Sequence, residues 1–231
     1  MAKIKLVIFD CDGVLVDSEY LAAQIHAELL TQAGFPTTEQ DIIEHYTGLS
    51  FADILKIKEK TGDRAVSAVL LDKADQIFRK RMKRDLTAIA GVRDCVATIR
   101  EQLHLPYCIC SNSSSANIKA MLEQVKLYDL FHGRIFSAPE VGSKKPKPAP
   151  DIYLFAAEKA ELDPKQCVVL EDSVHGAKAA VKAGMRVVGF TGGRHARLRL
   201  SGDLMETGVE TTIARQRDFP ATIRALDNFR E

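Results

Sequence analysis

The chain has 231 residues, 46% of them hydrophobic, and its 32 basic and 31 acidic residues leave a formal net charge of +1. That composition can fill a sizeable core and excludes a disordered chain, and the balanced charge gives no whole-chain reason to expect nucleic acid or an anionic membrane as partner. No apolar run reaches transmembrane length, no signal-peptide core precedes the first apolar run, and the five cysteines show no paired metal spacing, so a cytoplasmic chain with buried, reduced thiols is expected.

Apolar runs with strand character recur at 5–9, 107–110, 134–136, 167–170, 186–190 and 211–213. Stretches of helical period lie between most of them, at 92–103, 117–125, 151–160 and 174–183. This alternation predicts a doubly wound, mostly parallel, Rossmann-like α/β sheet with helices on both faces. The first run is too continuous for a surface strand, so Asp10 and Asp12 fall at the carboxyl end of a strand buried on both faces, where open α/β sheets bind ligands. Between Ser18 and Asp85 the alternation breaks. Segments at 18–33, 38–45, 51–61 and 65–84 have helical character, punctuated by Gly34-Phe35-Pro36, Gly48 and Gly62. Roughly 65 to 70 such residues are too many for one crossover helix and suit a small inserted bundle. The expected organisation is an α/β core of 1–16 and 87–231 with a helical cap of 17–86 over the site.

Four segments can converge on one phosphate. Asp10 follows the first strand and is the expected nucleophile, since a carboxylate attacking phosphorus forms an aspartyl phosphate and divides one hard displacement into two easier ones. Asp12, two residues on, falls on the same side of an extended strand end and can serve as general acid and base. Alone, Asp10-Cys11-Asp12-Gly13 also fits a polar turn; a calcium loop fails because Val14-Leu15-Val16 stand where further oxygen ligands are needed. Ser111 and the main-chain N–H of Asn112 can donate to phosphate oxygens, although 111–115 also reads as a helix cap. The proline-rich stretch 144–151 can hold a lysine against the phosphoryl group; Lys147 is the first choice and Lys145 the second. Glu171 and Asp172 end another strand and offer hard oxygen ligands for Mg2+, with a helix cap as the plainer reading. The joint occurrence of all four, each after or between strands, favours phosphoryl transfer over the separate plain readings.

Together these residues resemble the haloacid dehalogenase superfamily, in the subfamily whose helical cap follows the first motif and which includes β-phosphoglucomutase and small sugar-phosphate phosphatases. Residues 10–19 look like its first motif, Ser111 fits the second, 147–153 the third, and Glu171-Asp172-Ser173 with Gly176 and Ala183-Gly184-Met185 the fourth. The resemblance implies a phosphorylated Asp10, Asp12 as acid and base, and Mg2+ held by Asp10, the Asp12 main-chain carbonyl and Asp172, with Glu171 near the ion. True dehalogenases lack the second aspartate, so Asp12 favours phosphoryl transfer over carbon–halogen cleavage. Where β-phosphoglucomutases carry a cap histidine and a phosphate-gripping arginine, this chain has Ala22 and Phe51. Hydrolysis is therefore expected, in the manner of bacterial phosphatases for sugar or sugar-acid phosphates such as 6-phosphogluconate.

The substrate-contacting candidates are Asn112, Glu19 and Ser50, with Gln24, His45 and Thr47 as further cap positions near the hinge. The basic run 78–84 reads as a solvated helix face, and a binding role is the less favoured reading of Gly193-Arg194-His195-Ala196-Arg197. The expected partner is a small phosphorylated metabolite, with no nucleic acid and no membrane, and the chain is expected to be a monomer or weak homodimer. The enzymatic alternative is a phosphoglucomutase. The non-enzymatic one is a receiver-like phospho-acceptor module, which has no cap and no need of Asp12.

Overall fold

A computed structural model describes residues 2–47, 49–61 and 69–228 of the chain. The expected punctuation at Gly48 and Gly62 and the start of the fourth helical segment at 65–68 lie outside the described residues. One sheet is formed by β1 (Leu6–Phe9), β2 (Tyr107–Ser111), β3 (Ile135–Ser137), β4 (Cys167–Glu171), β5 (Arg186–Phe190) and β6 (Thr211–Ile213). Its six strands pair in parallel in the order β3-β2-β1-β4-β5-β6. From β1 the chain winds outward through β2 and β3, then returns to β4 on the other side. The carboxyl ends of β1 and β4 therefore flank the topological switch point.

Strand residues alternate between two apolar layers. Val7, Phe9, Ile109, Val168, Leu170 and Val188 face α5 (Val92–Glu101), α6 (Ser115–Gln124) and α11 (Phe219–Asn228). Leu6, Ile8, Cys108, Cys110, Val169 and Val187 face α8 (Asp151–Lys159), α9 (Val174–Lys182) and α10 (Leu200–Met205). All five cysteines are free and buried. The short α7 (Tyr128–Phe131), together with α10 and α11, has no counterpart in the expected elements. Each was hard to see for a local reason: α7 is a single turn, α10 has six residues, and α11 carries Pro220 in its first turn, the one part of a helix that tolerates it.

Between β1 and β2 lie α1 (Ser18–Gln32), α2 (Glu39–Tyr46), α3 (Phe51–Thr61) and α4 (Val69–Asp85), all helical as expected. α1 packs against α2 and α4, and Arg81 of the basic run, paired with Asp85 of its own helix at 2.8 Å, reaches from α4 to Gln24 of α1 at 2.9 Å, so this charge ties two helices together rather than only facing water. The chain leaves and re-enters the core side by side. The Asp17 N–H donates to Thr87 O and the Ile89 N–H to Leu15 O, both at 3.0 Å, around an antiparallel bridge between Val16 and Ala88. No helix among the described residues is long and apolar enough to cross a membrane.

Phe9, the residue before Asp10, is fully buried and meets Phe131 and Phe219 edge-on, with ring centroids 6.0 and 5.8 Å apart. Phe9→Ala opens a cavity under the site and is expected to cost about 3–5 kcal/mol, read from the urea midpoint with an unchanged denaturant slope.

Candidate active site

Register alone brings the first two acids together. Phe9 pairs with Leu170, so the next residues, Asp10 and Glu171, emerge side by side at the sheet's carboxyl edge. The loop before α8 brings Lys147 between them, with Nζ 2.5 Å from Asp10 Oδ1 and 2.6 Å from Glu171 Oε1. All three side chains are buried. Glu171 has its remaining capacity filled by Tyr153 Oη, which donates to Oε1 at 3.1 Å, and by the Ser173 N–H and hydroxyl, which donate to Oε2 at 2.9 and 3.0 Å. Lys145 stays exposed, so the first choice of lysine is the one that meets the acids.

Asp12 is held differently. Ser18 Oγ donates to its Oδ1 at 2.7 Å, while Ser113 Oγ at 2.8 Å and Ser111 Oγ at 3.3 Å donate to its Oδ2. Asn112 spends its side chain on the main chain of Lys147, accepting from the Lys147 N–H at 2.9 Å and donating to its carbonyl at 3.5 Å. Asp172 Oδ2 lies 2.8 Å from Nε2 of His195, a buried residue of the loop after β5. Two glycines make room for the acids. A Cβ on Gly13, whose φ is +74°, would stand 1.8 Å from Asp172 Oδ2, and one on Gly176 would stand 1.6 Å from Glu171 Oε1.

The electrostatics are dominated by too many acids for one lysine. Burial pushes the Asp10 carboxyl well above the usual carboxylate range; Lys147 opposes this, and Glu171, Asp172 and Asp12 add to it. Burial also raises Asp172, against the pull of His195. Lys147 is disfavoured as a cation by its burial, yet Asp10 and Glu171 hold its pKa well above normal. For His195 too, burial works downward, but the hydrogen bond and charge of Asp172 overcome it and push the imidazole up to about 9. Carboxylate oxygens of Asp10, Glu171 and Asp172 lie within 4.8 Å of one another, a hard-oxygen cluster whose excess negative charge suits a divalent cation.

A cavity of about 440 Å³ opens over these groups. Asp10, Asp12, Ser111 and Lys147 line its floor, and Glu19 and Thr47 reach it from the cap. Glu19 is crowded by protein yet reached by water; desolvation first and Asp12 second push its carboxyl up to about 7. Other cap candidates lie elsewhere. Ser50 caps α3, accepting from the Asp53 N–H and donating to the Asp53 carboxylate, and does not line the cavity. Gln24 is committed to Arg81, and His45 is exposed outside the cavity. The loop 193–197 departs from its expected role: His195 and Arg197 both line the cavity, and Arg194 binds the Asp17 carboxylate and stacks on Tyr20. Its place directly after a strand, at the ligand-binding edge of the sheet, is the sequence signal that could have found it.

The family model of haloacid dehalogenase-like hydrolases matches residues 7–190. The chain belongs to this family. This haloacid dehalogenase-like hydrolase is similar to the 6-phosphogluconate phosphatase of Escherichia coli K12, 26% identical over 84% of this chain and 86% of that one. It is also similar to hexitol phosphatase B of the same strain, 32% identical over 80% and 83%. Among solved structures, a haloacid dehalogenase-like protein of Agrobacterium tumefaciens C58 superposes with a TM-score of 0.91 at 43% identity, covering 96% of this chain and 99% of that one. The hydrolase is a phosphomonoesterase.

Because His195 is raised from 6.5 to about 9, its ion pair stabilises the fold fully below pH 6.5 and is lost as the pH climbs through about 9. In EDTA, His195→Gln is therefore expected to lower the unfolding midpoint most near pH 6, with the gap from wild type narrowing by about pH 10. A gap that stays constant with pH reports lost packing alone.

Proposed function

We propose that the chain hydrolyses a small sugar or sugar-acid phosphate with the help of magnesium, through an aspartyl phosphate on Asp10. The observation that carries this reading is the buried Lys147 bridge from Asp10 to Glu171, with Asp12 suspended over the same cavity by three hydroxyls. Asp10 attacks phosphorus in line with the leaving alkoxide, while Lys147 fixes the carboxylate and offsets charge on the phosphoryl oxygens. Asp12 gives its proton to the departing oxygen, then takes one from the water that cleaves the acyl phosphate, which returns Asp10 as the free carboxylate and releases phosphate. The Asn112 N–H can donate to the phosphoryl oxygens, and Ser111 can join it by turning its hydroxyl away from Asp12, which it reaches only at 3.3 Å. Asp10, Asp172 and the Asp12 main-chain carbonyl, with Glu171 behind them, would hold a magnesium ion, which supplies the positive charge that the acid-rich cluster and an anionic substrate both require.

The cavity volume suits a small metabolite, and the relatives named for 6-phosphogluconate and hexitol phosphates support a phosphorylated sugar or sugar acid. The mutase alternative finds no support in the cap, where Phe51 is buried and stacked on His26 at 4.1 Å. Asp10→Asn is expected to cut turnover at least about 1000-fold, and Asp12→Asn about 100- to 10,000-fold. Phosphate release from a panel of sugar phosphates, with and without EDTA, measures both; an Asp10→Asn enzyme with wild-type turnover removes the proposed nucleophile. Excess magnesium should restore the EDTA-treated enzyme.

A further inference from the structure

Beyond the phosphoryl site, the cavity is unevenly charged. Among the described residues the cap contributes Glu19 and Thr47 to its lining and no cation, so the described partners for a second anionic group on a substrate lie on the core side. There the described lining side chains that can be cationic, apart from Lys147, are His175, His195 and Arg197. His195 is committed to Asp172. Arg197 carries its charge at every relevant pH and offers a planar fork of donors matched to a carboxylate.

The guanidinium is only partly used. Nη2 donates to Asp203 of α10 at 2.6 Å, whereas Nε is buried with no hydrogen-bond partner among the described residues. The side chain keeps 26% of its surface exposed, so a carboxylate can approach the guanidinium at its open edge, while Nε itself lies out of reach of solvent. The loop that carries it is fixed in place: Arg194 is tied to Asp17, His195 to Asp172 and Arg197 to Asp203, three carboxylates on three different parts of the chain. The loop closes on itself as well, with the Ala196 N–H donating to Gly193 O and the Leu200 N–H to Arg197 O, both at 3.0 Å. A charged fork held this firmly is ready for a ligand before the ligand arrives.

We propose that Arg197 selects substrates bearing a carboxylate away from the phosphate, so that acid phosphates are preferred over their uncharged counterparts. The proposal rests on the phosphatase reading above and narrows its substrate class. Two compounds isolate the effect: 6-phosphogluconate and glucitol 6-phosphate share one carbon chain and one phosphate, and differ in a carboxylate against a hydroxymethyl group.

The measurement is kcat/KM for both compounds, expressed as the acid-to-hexitol ratio. Wild type should favour the acid at least about tenfold, and Arg197→Gln should lower that ratio about 10- to 100-fold, the worth of a hydrogen-bonded charge, with Arg197→Lys in between. Asp203→Asn, which loosens Arg197 without removing it, should lower the ratio several-fold through KM for the acid. A ratio unchanged in Arg197→Gln, including an equal loss on both compounds, overturns the proposal and leaves Arg197 as a structural tie to α10. So does a wild-type enzyme that handles the hexitol phosphate at least as well as the acid. In either case hydrolysis itself stands; an enzyme inactive on every phosphate monoester overturns the phosphatase reading and this proposal together.

Discussion

One ammonium group organises the centre of this molecule. Lys147 is buried between Asp10 and Glu171, and removing such charges from water is tolerable only where the ions meet closely and every other donor and acceptor nearby is paired. Around Glu171 and the main chain of Lys147 the surroundings meet that demand. Tyr153 of α8 and Ser173 before α9 fill the free positions of Glu171, Asn112 after β2 grips the main chain of Lys147 at both ends, and Gly176 leaves the space into which Glu171 fits. Four sequence segments far apart along the chain are thereby made mutually dependent.

The two aspartates differ because their partners differ. Asp10 is gripped by a full charge in a buried setting, whereas Asp12 hangs from neutral hydroxyls at the edge of an open cavity. Two carboxylates in unlike environments can take unlike parts in one reaction, the first as nucleophile and the second as carrier of a proton. Their separation by one residue keeps them on one phosphate while the turn at Gly13 sends the chain up into the cap.

What could be read in the sequence follows the same physics. The strands were legible because each is a short unbroken apolar run, and Asp10, Ser111, Glu171 and Asp172 were legible because each ends or directly follows one. Lys147 needed the stiffness of its proline-rich surroundings to stand out. Ser113, Tyr153, His195 and Arg197 fall in segments that the sequence already marks, but their partners were not legible: a serine beside another serine, a tyrosine on an amphipathic helix and a basic loop after a strand do not say which acid each will meet. Ser50 misled for the opposite reason, since a serine before a helix with Asp53 three residues on has a local partner that competes with any ligand.

The neck between core and cap has a consequence for descent. Because residues 15–17 and 87–89 run alongside each other, a whole helical bundle enters and leaves the core through a gap one strand pair wide. An insertion joined this way can be lengthened, trimmed or exchanged over evolutionary time without disturbing the strand order beneath it. The exchange is not wholly free, however. Ser18 holds Asp12 and Asp17 holds Arg194, so the last residue of the neck and the first beyond it are tied to the core's site, and a lineage that changes its cap must keep that doorway intact.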